Sequence, residues 1–141
     1  MATIILASHG EFAQGLKQTA TMIIGDSVPI HALSAFRDED ESILVQIKKL
    51  LATIDIEETY ILTDILGGSV NNDMLTIIKE YEGLQLITGM NLPLVISIAT
   101  YNGKIGESEL EKLIRESQQS VIDCRKLLVE QLTGGDDLWL N

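Results

Sequence analysis

Short apolar runs alternate along the chain with longer segments whose apolar residues recur at helical spacing. This alternation predicts an α/β domain with a mainly parallel sheet. Thr3 to Ala7 is a continuous β-branched run, as expected for a strand buried on both faces. Ile30 to Ala35, Tyr60 to Thr63 and Leu84 to Thr88 read as three further strands. Between them, Phe12, Leu16, Ala20, Ile23 and Ile24 mark a helix from about Glu11, with Gly25 as its C-cap. The acids Asp38 to Glu41 are expected to open a second helix, with Asp38 and Glu41 as a capping box. Its apolar stripe is Ile43, Leu44, Ile47, Leu50 and Leu51.

A third helix runs from the Gly67-Gly68-Ser69 turn to about Tyr81, with Met74, Leu75, Ile77 and Ile78 inward. Pro93 belongs near the first turn of a fourth, from Asn91 to Thr100. Ser108 and Glu111 predict a capped start for a fifth, backed by Leu110, Leu113 and Ile114. Beyond Ser117 the period is lost, and Val121, Ile122 and Cys124 suit either a helix or a short strand. The expected architecture is doubly wound with helices on both faces, and its strand order is 2-1-3-4 if strand 1 lies between strands 2 and 3. The expected domain spans residues 1–132, and 133–141 form a tail that includes Trp139.

Charge narrows the function. The 141 residues carry 10 Lys and Arg against 21 Asp and Glu, a net charge of −11. That balance argues against nucleic-acid and anionic-membrane binding and favours a basic protein partner. No apolar stretch approaches the ~20 residues of a spanning helix. The first residues lack the basic flank of a signal peptide, so the expected location is the cytoplasm. One cysteine and two histidines exclude an internal disulfide and make a structural metal unlikely, and no cofactor is expected.

In open parallel sheets, ligands bind beyond the carboxyl ends of the strands. If strand 1 lies between strands 2 and 3, Ser8-His9-Gly10 and Asp64 followed by Gly67-Gly68-Ser69 become neighbours there. A histidine such as His9 is often a capping or core residue. Directly after a buried strand, its ring belongs at the sheet edge instead, where it can act as a nucleophile. Asp64 is a turn former or a carboxylate that orients the His9 ring through Nδ1–H. Gly67, Gly68 and Ser69 are an ordinary capped turn or an anion cradle at a helix start. Taken together, a nucleophile, an orienter and an oxyanion stabiliser suggest phosphoryl transfer through a phosphohistidine. His31, inside a predicted strand, reads as structural. Arg37, one of three arginines, follows strand 2 and is within reach of the same edge.

Three segments carry a family resemblance: residues 3–10 (TIILASHG), 63–72 (TDILGGSVNN) and 88–93 (TGMNLP). In that order, they resemble the IIA component of the mannose/fructose/sorbose family of the bacterial sugar phosphotransferase system, over about residues 2–130. The resemblance implies that His9 accepts a phosphoryl group from the phosphocarrier protein HPr and passes it to a IIB component. It implies Asp64 as the partner of His9 and Gly67-Gly68-Ser69 as the phosphoryl-holding turn. It further implies a homodimer exchanging a C-terminal antiparallel strand, by position about Ser120 to Cys124. Val70 stands where many relatives have proline. With no IIB domain in the chain, the IIB component and the IIC and IID membrane components are expected as separate polypeptides. The alternatives are a regulatory module of the same fold and an α/β domain binding a phosphate ester.

Overall fold

A computed structural model of the chain describes residues 1–37 and 41–134. In chain order the elements are β1 (Thr3–His9), α1 (Phe12–Ile24), β2 (Ile30–Ala35), α2 (Ile43–Leu51), β3 (Thr59–Thr63), α3 (Ser69–Glu80), β4 (Gln85–Thr88), α4 (Leu92–Ala99), α5 (Glu107–Gln118) and α6 (Cys124–Gly134). The four strands form one sheet in the order β2-β1-β3-β4, with every pairing parallel. This is the doubly wound architecture the sequence predicts.

The interior strand β1 explains the unbroken apolar run. Ile4 and Leu6 point to one side of the sheet, where they pack with Leu16 of α1, Val95 of α4 and Leu113 of α5. Ile5 and Ala7 point to the other, where they pack with Ile47 of α2 and with Val70, Met74 and Ile77 of α3. The period-two alternation of side chains sorts β3 the same way, with Tyr60 and Leu62 on the first side and Ile61 on the second. The same alternation gives Ser8 and His9 opposite faces. Ser8 Oγ is buried toward α1 and accepts the Ala13 amide at 2.7 Å, capping a helix whose own N-cap Glu11 makes no side-chain cap. His9 falls on the α2/α3 side.

Several expectations change in detail. On α1 the buried residues are Ala13, Leu16 and Ala20, whereas Phe12 and Ile23 are exposed. The helix starts its inward stripe one residue later than the larger side chains suggest. On α3, Asn71 is buried and Leu75 is 41% exposed. Glu41 does not begin α2, which starts at Ile43. Ser42 is the N-cap and accepts the Val45 amide at 3.3 Å, while Glu41 lies outside the helix and pairs with Lys49 at 2.7 Å. Residues 38–40, and with them the Asp38 capping box, lie outside the described residues.

The capping box at Ser108 is also displaced. α5 begins earlier, at Glu107 after Gly106, and the Ser108 hydroxyl bonds the Glu109 carboxylate instead of a backbone amide. Residues 121–123 form no strand, and Cys124 opens α6. A strand needs a neighbour with which to exchange backbone hydrogen bonds. Among the described residues, Val121 is 91% exposed and pairs with none of the four strands. α6 runs past residue 132, across the expected domain boundary, and residues 135–141 of the tail lie outside the described residues.

Met74 is fully buried and ties α3 to the sheet, whereas its neighbour Leu75 faces solvent. Met74→Ala is expected to cost about 2–5 kcal/mol, and Leu75→Ala no more than about 0.5 kcal/mol. Urea midpoints at unchanged slope measure both. Equal losses would contradict this orientation of α3.

Candidate functional site

The site lies at the carboxyl edge of the sheet, where β1 and β3 end side by side. The last register pair between them is Ala7 with Thr63, so His9 and Asp64 project from neighbouring strand ends. Asp64 Oδ2 accepts two hydrogen bonds from His9, one from its main-chain N–H at 2.9 Å and one from ring Nδ1 at 2.7 Å. Its other oxygen, Oδ1, accepts the Ile65 amide at 3.1 Å. The two side chains are 42% and 13% exposed, so the carboxylate is largely covered while the ring remains open.

Burial pushes the Asp64 carboxyl upward, but its hydrogen bonds outweigh that. The His9 amide, the His9 ring and the charge the ring can carry, together with a main-chain bond in Asp64's own segment, hold the pKa below its ordinary value of 3.8. An ionised carboxylate only accepts, so Nδ1 carries the proton and the neutral ring has its lone pair at Nε2.

Nε2 faces the start of α3, with Ser69 Oγ 3.5 Å away. The two glycines before Ser69 serve different needs. Gly67 has φ +80°, a left-handed turn that suits a residue without Cβ. Gly68 has an ordinary φ of −77°, but a Cβ there would stand 2.9 Å from Ile65 Cγ2 and 3.2 Å from His9 Cε1. Gly68 is therefore the close approach that leaves room for the imidazole. It is also the N-cap of α3, not Ser69, and it supplies no side-chain cap. The first-turn amides of α3 thus point outward at the positive end of the helix dipole, beside Nε2. Val70 stands at the second helical position and is buried in the core, so the helix starts here without a proline.

All five residues singled out from the sequence meet at this edge. Sequence reasoning missed the groups that hold them. The buried Thr63 hydroxyl donates to Asn71 Oδ1 at 2.7 Å and stands 2.8 Å from Thr88 Oγ1. This link ties the end of β3 to the first turn of α3 and the end of β4. A polar residue at the third position of a strongly apolar helix face was the available signal for Asn71. Phe36, just past β2, stacks on His9 with ring centroids 5.4 Å apart and planes 20° from parallel. Arg37 reaches the rim but pairs with Glu11 at 3.2 Å. His31 lies in β2, half-buried; burial and then nearby Lys17 lower its pKa from 6.5, as suits a structural residue.

Among the described residues, no group of three or more His, Cys, Asp or Glu gathers as a metal site would require. Likewise, no described helix is long and apolar enough to cross a membrane. Chemically, the site offers an exposed nitrogen nucleophile with its other nitrogen fixed, beside a ready anion-binding helix start.

Comparison with known proteins gives the family of the chain. The family model for the PTS system fructose IIA component, EIIA-man, matches residues 3–116. The fructose-specific EIIA component of Bacillus subtilis is 30% identical, covering 97% of this chain and 96% of its own length. Among solved structures, the PTS IIA protein associated with the fucose utilization operon of Streptococcus pneumoniae is 30% identical, with a TM-score of 0.71 over 91% of this chain and 99% of that one. Component EIIA from Streptococcus agalactiae is 25% identical, with a TM-score of 0.73 over 89% and 99%. The edge of β1 and β3 that joins His9 to Asp64 lies within the span the family model matches, and the chain belongs to the EIIA-man family of sugar phosphotransferase system IIA components.

Proposed function

We propose that His9 is the phosphoryl carrier of this chain, taking the group from phospho-HPr and passing it to a IIB component. The observation that carries the reading is the 2.7 Å bond from Nδ1 to Asp64, which leaves Nε2 unprotonated at an open edge. In the forward step the Nε2 lone pair attacks phosphorus in line. The P–N bond of the donor's phosphohistidine breaks, and its electron pair returns to the donor ring. Asp64 stabilises the ring of His9, which becomes cationic once Nε2 is substituted. The amides of Ser69 and its successors and the Ser69 hydroxyl receive the phosphoryl oxygens. Transfer to IIB reverses these steps.

An open ring suits transfer between two proteins better than enclosure of a small phosphate ester. Exposed Phe12, Ile65 and Leu66 around it offer apolar contact to each partner in turn, and the −11 charge favours partners with a basic face. On this reading the chain works in the cytoplasm, upstream of the IIC and IID membrane components. A second copy of the chain would cover the exposed apolar side chains of Val121, Ile122, Val129 and Leu132, in keeping with a homodimer.

Incubation with phosphoenolpyruvate, enzyme I and HPr is expected to add one phosphoryl group by intact mass, acid-labile and alkali-stable. His9→Ala is expected to add none while keeping its circular dichroism. A phosphorylated His9→Ala chain, or an unmodified wild type beside phosphorylated HPr, would contradict the proposal. Gly68→Ala should fold and yet transfer slower by about tenfold or more, because its Cβ displaces the imidazole. A wild-type rate in quenched-flow assays would refute that role for the glycine.

The lowered pKa of Asp64 has a thermodynamic sign. The folded state favours the carboxylate, so its contribution to stability is full above the ordinary value of 3.8 and is lost as pH falls through the lower folded value. Thermal melts from pH 6 down to about pH 2 should show wild type losing more stability than Asp64→Asn over the acid part of that range. Parallel curves would exclude the linkage.

A further inference from the structure

Phe36 stands in an unfavourable position by two measures. The residue is 76% exposed, and its backbone has φ +63°, a region that L residues with a Cβ rarely adopt. Neither feature serves the core. Ala35, the residue before it, is the register partner of His9 and accepts the Gly10 amide at 2.8 Å. Continued extension would carry the next side chain to the opposite face of the sheet. The left-handed turn accompanies a different outcome, with the ring lying on the imidazole of His9.

That contact supplies a constraint the hydrogen bond lacks. A bond from Nδ1 to Asp64 fixes one edge of the imidazole but leaves the ring able to rock about the bond axis. The Nε2 lone pair lies in the ring plane, so rocking swings it away from an in-line phosphorus. At Gly68 the absent Cβ, which would stand 3.2 Å from Cε1, leaves the backbone close to the ring without a side chain to hold it. Phe36 covers a face.

We propose that Phe36 is a positioning residue for phosphoryl transfer, setting the plane of the His9 ring by stacking on it. The inference rests on the carrier reading above. The same side chain would also lie beneath a docked partner, so a docking role has to be separated from a positioning one. Docking acts on KM, whereas alignment of Nε2 acts on kcat. A flat ring is needed for the second, but any apolar side chain serves the first.

The test uses the full chain with phospho-HPr as substrate and three variants. Phe36→Leu, which keeps apolar bulk without a flat face, is expected to lower kcat about tenfold with KM unchanged. Phe36→Gly is expected to lower kcat as well, without lowering the melting temperature, because glycine relieves the positive φ. Phe36→Tyr is expected to retain the wild-type rate. Proton spectra of the unphosphorylated proteins supply a readout that needs no transfer. The His9 ring protons should be shifted upfield in wild type and Phe36→Tyr, and should lose that shift in the Leu and Gly variants. A Leu variant with wild-type kcat, a change confined to KM, or unchanged ring-proton shifts would each overturn the proposal. A wild type that takes no phosphoryl group would overturn the carrier reading and the positioning role with it. The ring-proton shifts would still report whether the stack exists.

Discussion

One carboxylate oxygen organises the candidate site at the carboxyl edge of the sheet. Asp64 Oδ2 receives both the main-chain N–H and the ring Nδ1 of His9, a residue 55 positions away in sequence. The main-chain bond fixes where the carboxylate stands relative to β1. The ring bond fixes which nitrogen is protonated and which direction the free one faces. Hydrogen bonds to an ionised acceptor are the stronger kind, and a largely covered carboxylate is screened less by solvent. The open side of the ring is therefore the side left available for chemistry.

The sheet makes that bond possible. Parallel pairing of β1 with both β2 and β3 ends three strands at the same edge: His9 on one, Phe36 just beyond another, Asp64 just beyond the third. Side-chain alternation then decides the rest. Ser8 turns inward to cap α1, and His9 turns to the side where α3 begins. The Thr63–Asn71 bond holds the first turn of α3 against the end of β3, so the helix start and the imidazole share one frame. The apolar faces of Met74 and Ile77 secure that helix to the sheet. Core packing and site geometry are thus linked through a single element.

The four strands and the five clustered residues were legible in sequence because each leaves a local signal, whereas the inward faces of α1 and α3 were legible only in part. A β-branched run, a period and a polar residue after a strand are all short-range features. What was missed depends on three-dimensional neighbours. The two glycines look alike in sequence, yet one serves a left-handed turn and the other a steric approach from residue 9. Asn71 is buried because Thr63 lies opposite, and a pattern that rewards only apolar residues passes it over. Phe36 looks like core and is not, because its backbone turns at the strand end. The helix starts moved for a related reason. Ser42 caps α2 because its hydroxyl reaches a first-turn amide, while Ser108 is already inside its helix and caps nothing.

The account turns on which nitrogen of His9 is free. Long-range proton–nitrogen correlation of the phosphorylated protein, labelled at histidine, reads this directly. The phosphoryl group is expected on Nε2 of His9, with Nδ1 protonated and still bound to Asp64. Phosphorylation at Nδ1 would contradict it, because that nitrogen could not be modified while Asp64 held it at 2.7 Å.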